Sequence, residues 1–179
     1  VKPIQYPKAG TTNSAVRVGV VKASGGSTRW LQVPGDPRNI YIARMEWAGN
    51  SSEIALQHLN RQQNTLTVLL GDAKTGRTSP VFVDRDSAWV DVVDDWDWLE
   101  GGERFLWLSE RDGWRHVYKA ATDGTSTALV TNFDADITQL LGTDSGEEWV
   151  YFIASPHDPT RRYLYRTRTN GQGAPERIT

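Results

Sequence analysis

Short runs in which apolar and polar residues alternate recur along the chain. Ala15–Val21 is a clear example, whereas other short runs, such as Phe105–Leu108, are apolar throughout, as in strands covered on both faces. Turn-forming Gly, Pro, Asn or Asp residues lie between successive runs. Alternation with a period of two is typical of β-strands, and no segment shows the periodicity of a helix of about ten residues or more. The pattern therefore predicts an all-β chain.

The predicted strands fall into groups of four. Each group is listed here in chain order. The first complete group is Ile40–Trp47, Glu53–Leu59, Leu66–Leu70 and Thr78–Val83. The second is Trp89–Leu99 (an innermost run and its approach), Arg104–Ser109, Arg115–Ala121 and Thr127–Thr131. The third is Ile137–Leu141, Trp149–Ala154, Arg162–Thr167 and a truncated run, Pro175–Ile178. Only two runs precede these groups, Ala15–Val21 and Thr28–Val33.

Equivalent apolar residues recur at a spacing of roughly 45–51 residues, which is typical of four-stranded propeller blades. In the second strands of the three groups these residues are Leu56, Trp107 and Phe152, and in the third strands they are Leu66, Val117 and Leu164. The spacing predicts a partial β-propeller of about three and a half four-stranded antiparallel blades. Residues 1–36 are predicted to form the outer half of a blade, and residues 37–86, 87–133 and 134–179 one blade each.

Propellers close with about four to eight blades, so we expect this segment to come from a longer propeller. Its free edges need other contacts, which can include a second copy of the chain, as in a homodimer. The first residues, Val1–Ile4, include no Met and no apolar signal-peptide core, so we expect an excised piece or a processed chain without a targeting segment.

Composition excludes several classes of function. The net charge of -2 gives no electrostatic reason to expect nucleic acid or an anionic membrane as a partner. No apolar run approaches the ~18 residues that a membrane span needs. The chain has 0 Cys, which excludes disulfides and thiolate metal sites.

The segment Ser109–Tyr118 (S-E-R-D-G-W-R-H-V-Y) concentrates polar residues that could do chemistry. A serine hydrolase needs a G-x-S-x-G nucleophile elbow with a base His in reach, and the sequence contains no such elbow. The histidines, His58, His116 and His157, fall in or beside different predicted hairpins. We therefore predict no catalytic residue, and interpret the segment as a hairpin with turn contacts and polar contacts between blades.

Two acidic groups were considered as ligand sites. The stretch containing Asp91, Asp94, Asp95, Asp97 and Glu100 lacks the spacing of a calcium-binding loop, and is interpreted as a solvated loop between blades. The pair Glu147-Glu148 follows a turn glycine and is interpreted as a solvated turn. The sequence therefore predicts neither a metal site nor a cofactor.

Three motifs resemble the dipeptidyl peptidase IV family in its bacterial form. They are Tyr6-Pro7-Lys8-Ala9-Gly10 followed by Asn13, Trp47 followed by Gln57–Asn64 (Q-H-L-N-R-Q-Q-N), and the hairpin within Leu106–Tyr118. Their order and spacing agree with that family, and the resemblance covers nearly the whole chain.

The resemblance implies an eight-bladed N-terminal propeller joined to an α/β-hydrolase domain that this chain lacks. Enzymes of this family are serine exopeptidases that release N-terminal dipeptides with Pro or Ala in second place. By resemblance, the chain would be a non-catalytic segment that gates and shapes the substrate chamber, and would be inactive alone. Its partners would be the peptide substrate and its own C-terminal hydrolase domain, in the bacterial periplasm or cell envelope.

The resemblance also suggests where peptide would be contacted. The family places part of a substrate-binding surface in the loop after a tryptophan equivalent to Trp89, and Val93 and Asp94 occupy the positions where an aromatic-basic pair often stands. The family's paired glutamates, which bind the substrate's free N-terminus, lie upstream of Y-P-K-A-G, so Glu147-Glu148 does not correspond to them. Two alternatives remain at this point: a TolB-like envelope propeller acting as a binding scaffold, and another member of the prolyl oligopeptidase clan such as an acylaminoacyl peptidase.

Overall fold

The computed structural model describes residues 8–179, so Val1–Pro7, with the extended segment and the Tyr6-Pro7 pair predicted there, lie outside the described residues. Within residues 8–179 there are 14 β-strands and one 3₁₀ turn, Glu100–Gly102, which confirms the all-β prediction. No helix in this part of the chain is long and apolar enough to cross a membrane.

The strands form four antiparallel sheets in chain order. The first is a two-stranded sheet of β1 (Gly19–Val20) and β2 (Arg29–Trp30). The second contains β3 (Ile40–Trp47), β4 (Glu53–Asn60), β5 (Thr65–Asp72) and β6 (Thr78–Arg85). The third contains β7 (Asp97–Leu99), β8 (Arg104–Ser109), β9 (His116–Ala121) and β10 (Thr127–Leu129). The fourth contains β11 (Ile137–Thr143), β12 (Trp149–Ala154), β13 (Tyr163–Arg168) and β14 (Glu176–Arg177).

In the three four-stranded sheets, each strand pairs with the next one along the chain, which is the meander of a propeller blade. The predicted bounds of β3, β8 and β12 are confirmed, and most others differ by at most two residues at an end. Each predicted blade range contains one four-stranded sheet; the boundaries between blades stay a prediction.

Three predicted runs are longer than the strands that form. The runs predicted at 15–21 and 28–33 shorten to two residues each, because the flanking backbone bonds elsewhere: the Val16 amide donates to the Pro37 carbonyl at 3.0 Å, and the Gln32 amide donates to the Gly76 carbonyl at 2.7 Å. In the run predicted from Trp89 to Leu99, only Asp97–Leu99 is a strand. Residues 86–96 instead form a long connection, which we call the connecting loop.

Successive sheets pack face to face through large side chains at equivalent positions. Leu56, Trp107 and Phe152 are each the fourth residue of a second strand, and each has 0% of its surface exposed. Phe82 of β6 contacts Trp107 of the next sheet, with ring centroids 5.6 Å apart. One continuous core therefore joins the three four-stranded sheets, and a smaller core joins the first sheet to the second.

The turn between third and fourth strands repeats a glycine at positions 76, 124 and 171, with φ of +77°, +75° and +75°. A Cβ added at Gly76 would lie 2.4 Å from the Trp30 carbonyl oxygen, and one at Gly171 would lie 2.5 Å from that of Leu129. At Gly124 the nearest atom would be 3.7 Å away. Each turn therefore rests on the outermost strand of the preceding sheet, most closely at Gly76 and Gly171.

Candidate functional site

The connecting loop and the turn between β8 and β9 lie at the same edge of the third sheet. Antiparallel pairing of β7 with β8 aligns Asp97 with Leu106, so the loop that enters β7 approaches the end of β8. Together the loop and the turn enclose a cavity of about 40 Å³, whose lining includes Asp84, Trp89 and Arg111. About 10–15 Å³ of such space holds one water, so this cavity has room for a few waters and not for a peptide.

The three residues predicted to contact substrate differ in exposure. Trp89 is 52% exposed, and its indole N–H donates to the Asp91 carboxylate at 2.9 Å. Val93 is buried, with 5% of its surface exposed, and packs in the main core. Asp94 is exposed and forms an ion pair with Arg44. The structure thus leaves Trp89 and Asp94 accessible, while the Val93 side chain is not.

Trp89 is held on a turn with fixed backbone contacts. The Asp86 carboxylate accepts hydrogen bonds from the amides of Ala88 at 2.7 Å and Trp89 at 3.3 Å. The Val90 amide donates to the Gln63 carbonyl at 2.9 Å, and the Val90 side chain is buried. These contacts tie the first half of the connecting loop to the β4–β5 turn of the preceding sheet.

A buried carboxylate joins the β8–β9 turn to the preceding sheet. Asp84 of β6 is 6% exposed, and it accepts hydrogen bonds from the Trp107 indole at 3.3 Å, the Ser109 hydroxyl at 2.8 Å and the Arg111 guanidinium at 3.2 Å. The same guanidinium lies 4.3 Å from the centroid of the Phe82 ring. The predicted polar contact between blades is therefore confirmed for Arg111.

His116 links the same turn to the following sheet. Its Nδ1 bonds to the Asp112 carboxylate and its Nε2 to the Phe133 carbonyl, both at 2.8 Å, and its surface is 3% exposed. Burial opposes ionisation of Asp112, but hydrogen bonds from His116 and Tyr118 outweigh it, so the pKa of this carboxyl is lowered. His116 is therefore a buried hydrogen-bonding residue of its hairpin.

Two residues of these acidic groups are partly exposed and also bond between sheets. The Asp97 carboxylate accepts hydrogen bonds from the amide and hydroxyl of Thr143 at 3.1 Å, and the Glu147 carboxylate accepts one from the Glu100 amide at 2.8 Å. Both join the third sheet to the fourth. Among residues 8–179 no three acidic or histidine side chains are grouped so that they could hold a metal ion.

Sequence reasoning missed two residues that hold the connecting loop, Gln57 and Arg44. Gln57 was noted only as part of a family signature, yet its side chain is fully buried and bonds to the backbone of Val93. A signal was present in the sequence, because Gln57 stands between Ala55 and Leu59 on one face of a strand. A polar residue at such a position needs a buried partner.

The chain is similar in sequence to several known proteins. Residues 1–179 match the family described as "Dipeptidyl peptidase IV (DPP IV) N-terminal region". The probable dipeptidyl peptidase 4 of Emericella nidulans is 25% identical over 175 residues, covering 90% of this chain and 22% of that protein. The dipeptidyl peptidase 4 of Arthroderma otae is 24% identical over 170 residues, with the same coverage.

Two solved structures share the fold. The crystal structure of Porphyromonas gingivalis dipeptidyl peptidase 4 superposes with a TM-score of 0.86 at 27% identity, covering 98% of this chain and 24% of that one. A putative dipeptidyl aminopeptidase IV from Bacteroides ovatus gives a TM-score of 0.82 at 22% identity, covering 94% and 27%. The chain is therefore a partial β-propeller, and it spans about a fifth to a quarter of the length of these relatives.

Proposed function

Because the chain belongs to the family of dipeptidyl peptidase IV N-terminal regions, we propose that it is the non-catalytic propeller segment of a serine exopeptidase. The match of the whole chain to this family carries the proposal. The parent enzyme would release N-terminal dipeptides with Pro or Ala in second place. Its serine nucleophile would lie in a separate α/β-hydrolase domain, since this chain contains no G-x-S-x-G elbow.

The propeller segment would wall the substrate chamber and restrict access to small peptides. Residues 37–86, 87–133 and 134–179 would each form one blade, which the three four-stranded sheets support. Residues 1–36 would form the outer half of another blade. In support, a groove beside β1 is lined by the exposed side chains of Val21, Met45 and Trp47, a surface suited to the missing inner strands.

Within the chamber wall, the connecting loop would contact the peptide through Trp89 and Asp91. Trp89 offers an exposed indole face on an anchored turn, and aromatic side chains are effective contact residues in binding sites. Asp94 would contribute charge only as part of its pair with Arg44. Val93 would not contact the peptide, because its side chain is buried and its backbone amide and carbonyl both bond to Gln57. The family match favours this role over a TolB-like envelope scaffold. We expect the parent in the periplasm or cell envelope.

Replacing Trp89 with alanine in the parent enzyme tests the contact. The expected result is a KM for a dipeptidyl chromogenic substrate raised about fivefold to tenfold with kcat within about twofold, because a binding contact is lost and the reacting groups are untouched. Trp30→Ala is the matched control, since Trp30 is also exposed, at 46%, but lies in β2. An unchanged KM for Trp89→Ala, or an equal rise for Trp30→Ala, would contradict the assignment.

A further inference from the structure

Gln57 is a fully buried polar side chain whose two polar atoms both bond to one residue. Its Nε2 donates to the Val93 carbonyl, and its Oε1 accepts a hydrogen bond from the Val93 amide at 3.2 Å. A side-chain carboxamide placed in this way provides the two hydrogen bonds that a neighbouring strand would otherwise provide. Gln57 belongs to β4 in the second sheet, and Val93 to the connecting loop that leads into the third.

Arg44 completes the attachment from the adjacent strand. The β3–β4 register places Arg44 directly opposite Gln57, with a register shift between Ile42 and Arg44. Arg44 forms an ion pair with Asp94 and also donates a hydrogen bond to the Ala43 carbonyl at 2.8 Å. Two residues that face each other across a strand pair therefore hold two consecutive residues of the loop, one by its backbone and one by its side chain.

The connecting loop needs this attachment because its buried backbone has no strand beside it. Val93 is in the main core, and a buried amide or carbonyl without a partner is costly. The first half of the loop is held at Val90, through the Gln63 carbonyl, and the second half at Val93, through Gln57. Asp91 lies between these two anchors, and Trp89 directly precedes the first, so the anchors determine where both are presented.

We propose that Gln57 is a positioning residue for peptide binding: it fixes the second half of the connecting loop and so places Asp91 in the chamber wall. The ring of Trp89 is oriented in turn, because its indole N–H donates to the Asp91 carboxylate at 2.9 Å. Arg44 supports Gln57 by holding Asp94. The consequence for peptide binding rests on the proposed function, whereas the anchoring of the loop rests on the hydrogen bonds alone.

The test uses the full parent enzyme with Gln57→Met, which keeps a similar volume but removes both hydrogen bonds. Hydrogen exchange in residues 86–96 should accelerate about tenfold or more, and KM should rise about fivefold with kcat within about twofold. Leu56→Ala is the control: Leu56 is fully buried in the smaller core, on the other face of β4, so its loss destabilises the sheet without touching the loop. Hydrogen exchange in residues 86–96 should then stay at the wild-type rate.

Arg44→Ala is a second variant. We expect it to fold, because the Arg44 side chain is 53% exposed. We expect about threefold faster exchange around Asp94. Unchanged hydrogen exchange in residues 86–96 of Gln57→Met would overturn the proposal. If Gln57→Met does not fold, unchanged exchange in the same residues of Arg44→Ala would overturn it.

The kinetic results separate this proposal from the proposed function. If Trp89→Ala raises KM but Gln57→Met does not, the positioning role is wrong and the peptide contact stands. If neither variant changes KM, the peptide contact is wrong, while faster loop exchange in Gln57→Met still supports Gln57 as the anchor.

Discussion

Replacing Asp84 with alanine is expected to destabilise the chain by about 3 kcal/mol. The buried carboxylate accepts hydrogen bonds from Trp107, Ser109 and Arg111, and its removal leaves the indole N–H without an acceptor and the guanidinium without its counter-charge. In a chain of this length, about 3 kcal/mol corresponds to a Tm lower by roughly 6–12 °C. Urea denaturation followed by circular dichroism measures the change.

Asp94→Ala is the matched control for that experiment. Asp94 also pairs with an arginine, but both side chains are more than half exposed, at 65% and 53%, so the ion pair with Arg44 is worth about 0–1 kcal/mol. Equal destabilisation by the two substitutions would contradict the prediction that the buried Asp84 carboxylate, with its three hydrogen-bond donors, contributes more stability than the exposed ion pair.

Gly76→Ala is expected to cost about 3 kcal/mol, through two effects that add. At φ +77° an alanine is strained by about 1–2 kcal/mol, and its Cβ would lie 2.4 Å from the Trp30 carbonyl oxygen, so backbone has to move. Gly124→Ala shares the strain at φ +75° but meets no atom within 3.4 Å, so about 1 kcal/mol is expected. The free energy of unfolding of the two variants, measured side by side, isolates the contact between sheets.

A loss of stability in Gly124→Ala as large as that in Gly76→Ala would mean that backbone strain alone explains the repeated glycine. Gly171→Ala should behave like Gly76→Ala, because its Cβ would lie 2.5 Å from the Leu129 carbonyl oxygen. Agreement between these two variants would support the turn-on-strand contact as a repeated feature of the propeller.

The strands were predictable because their signal is local. β3, β8 and β12 are short runs rich in apolar and β-forming residues and bounded by turn residues, a signal that does not depend on what they pack against. The 45–51-residue spacing places Leu56, Trp107 and Phe152 in equivalent buried positions. The first sheet was predicted too long because the backbone beyond β2 bonds to the Gly76 turn, a partner distant in sequence.

The candidate site was less predictable because its contacts join different sheets. Gln57 and Val93 are 36 residues apart, and Asp84 and Arg111 are 27 apart, so no local pattern pairs them. Family position predicts Val93 as a contact residue. For an apolar residue in an irregular loop, however, the sequence does not indicate whether the side chain is exposed. Only the structure shows that Trp89 is exposed and that Val93 is buried.

We propose that this chain is a propeller segment that serves a catalytic domain elsewhere in its parent. The most direct test incubates a peptide with Pro in second place with the parent enzyme and, separately, with the 179-residue chain, and follows dipeptide release by mass spectrometry. We predict release by the parent and none by the chain alone. Dipeptide release by the isolated chain, or its absence with the intact parent, would contradict the account.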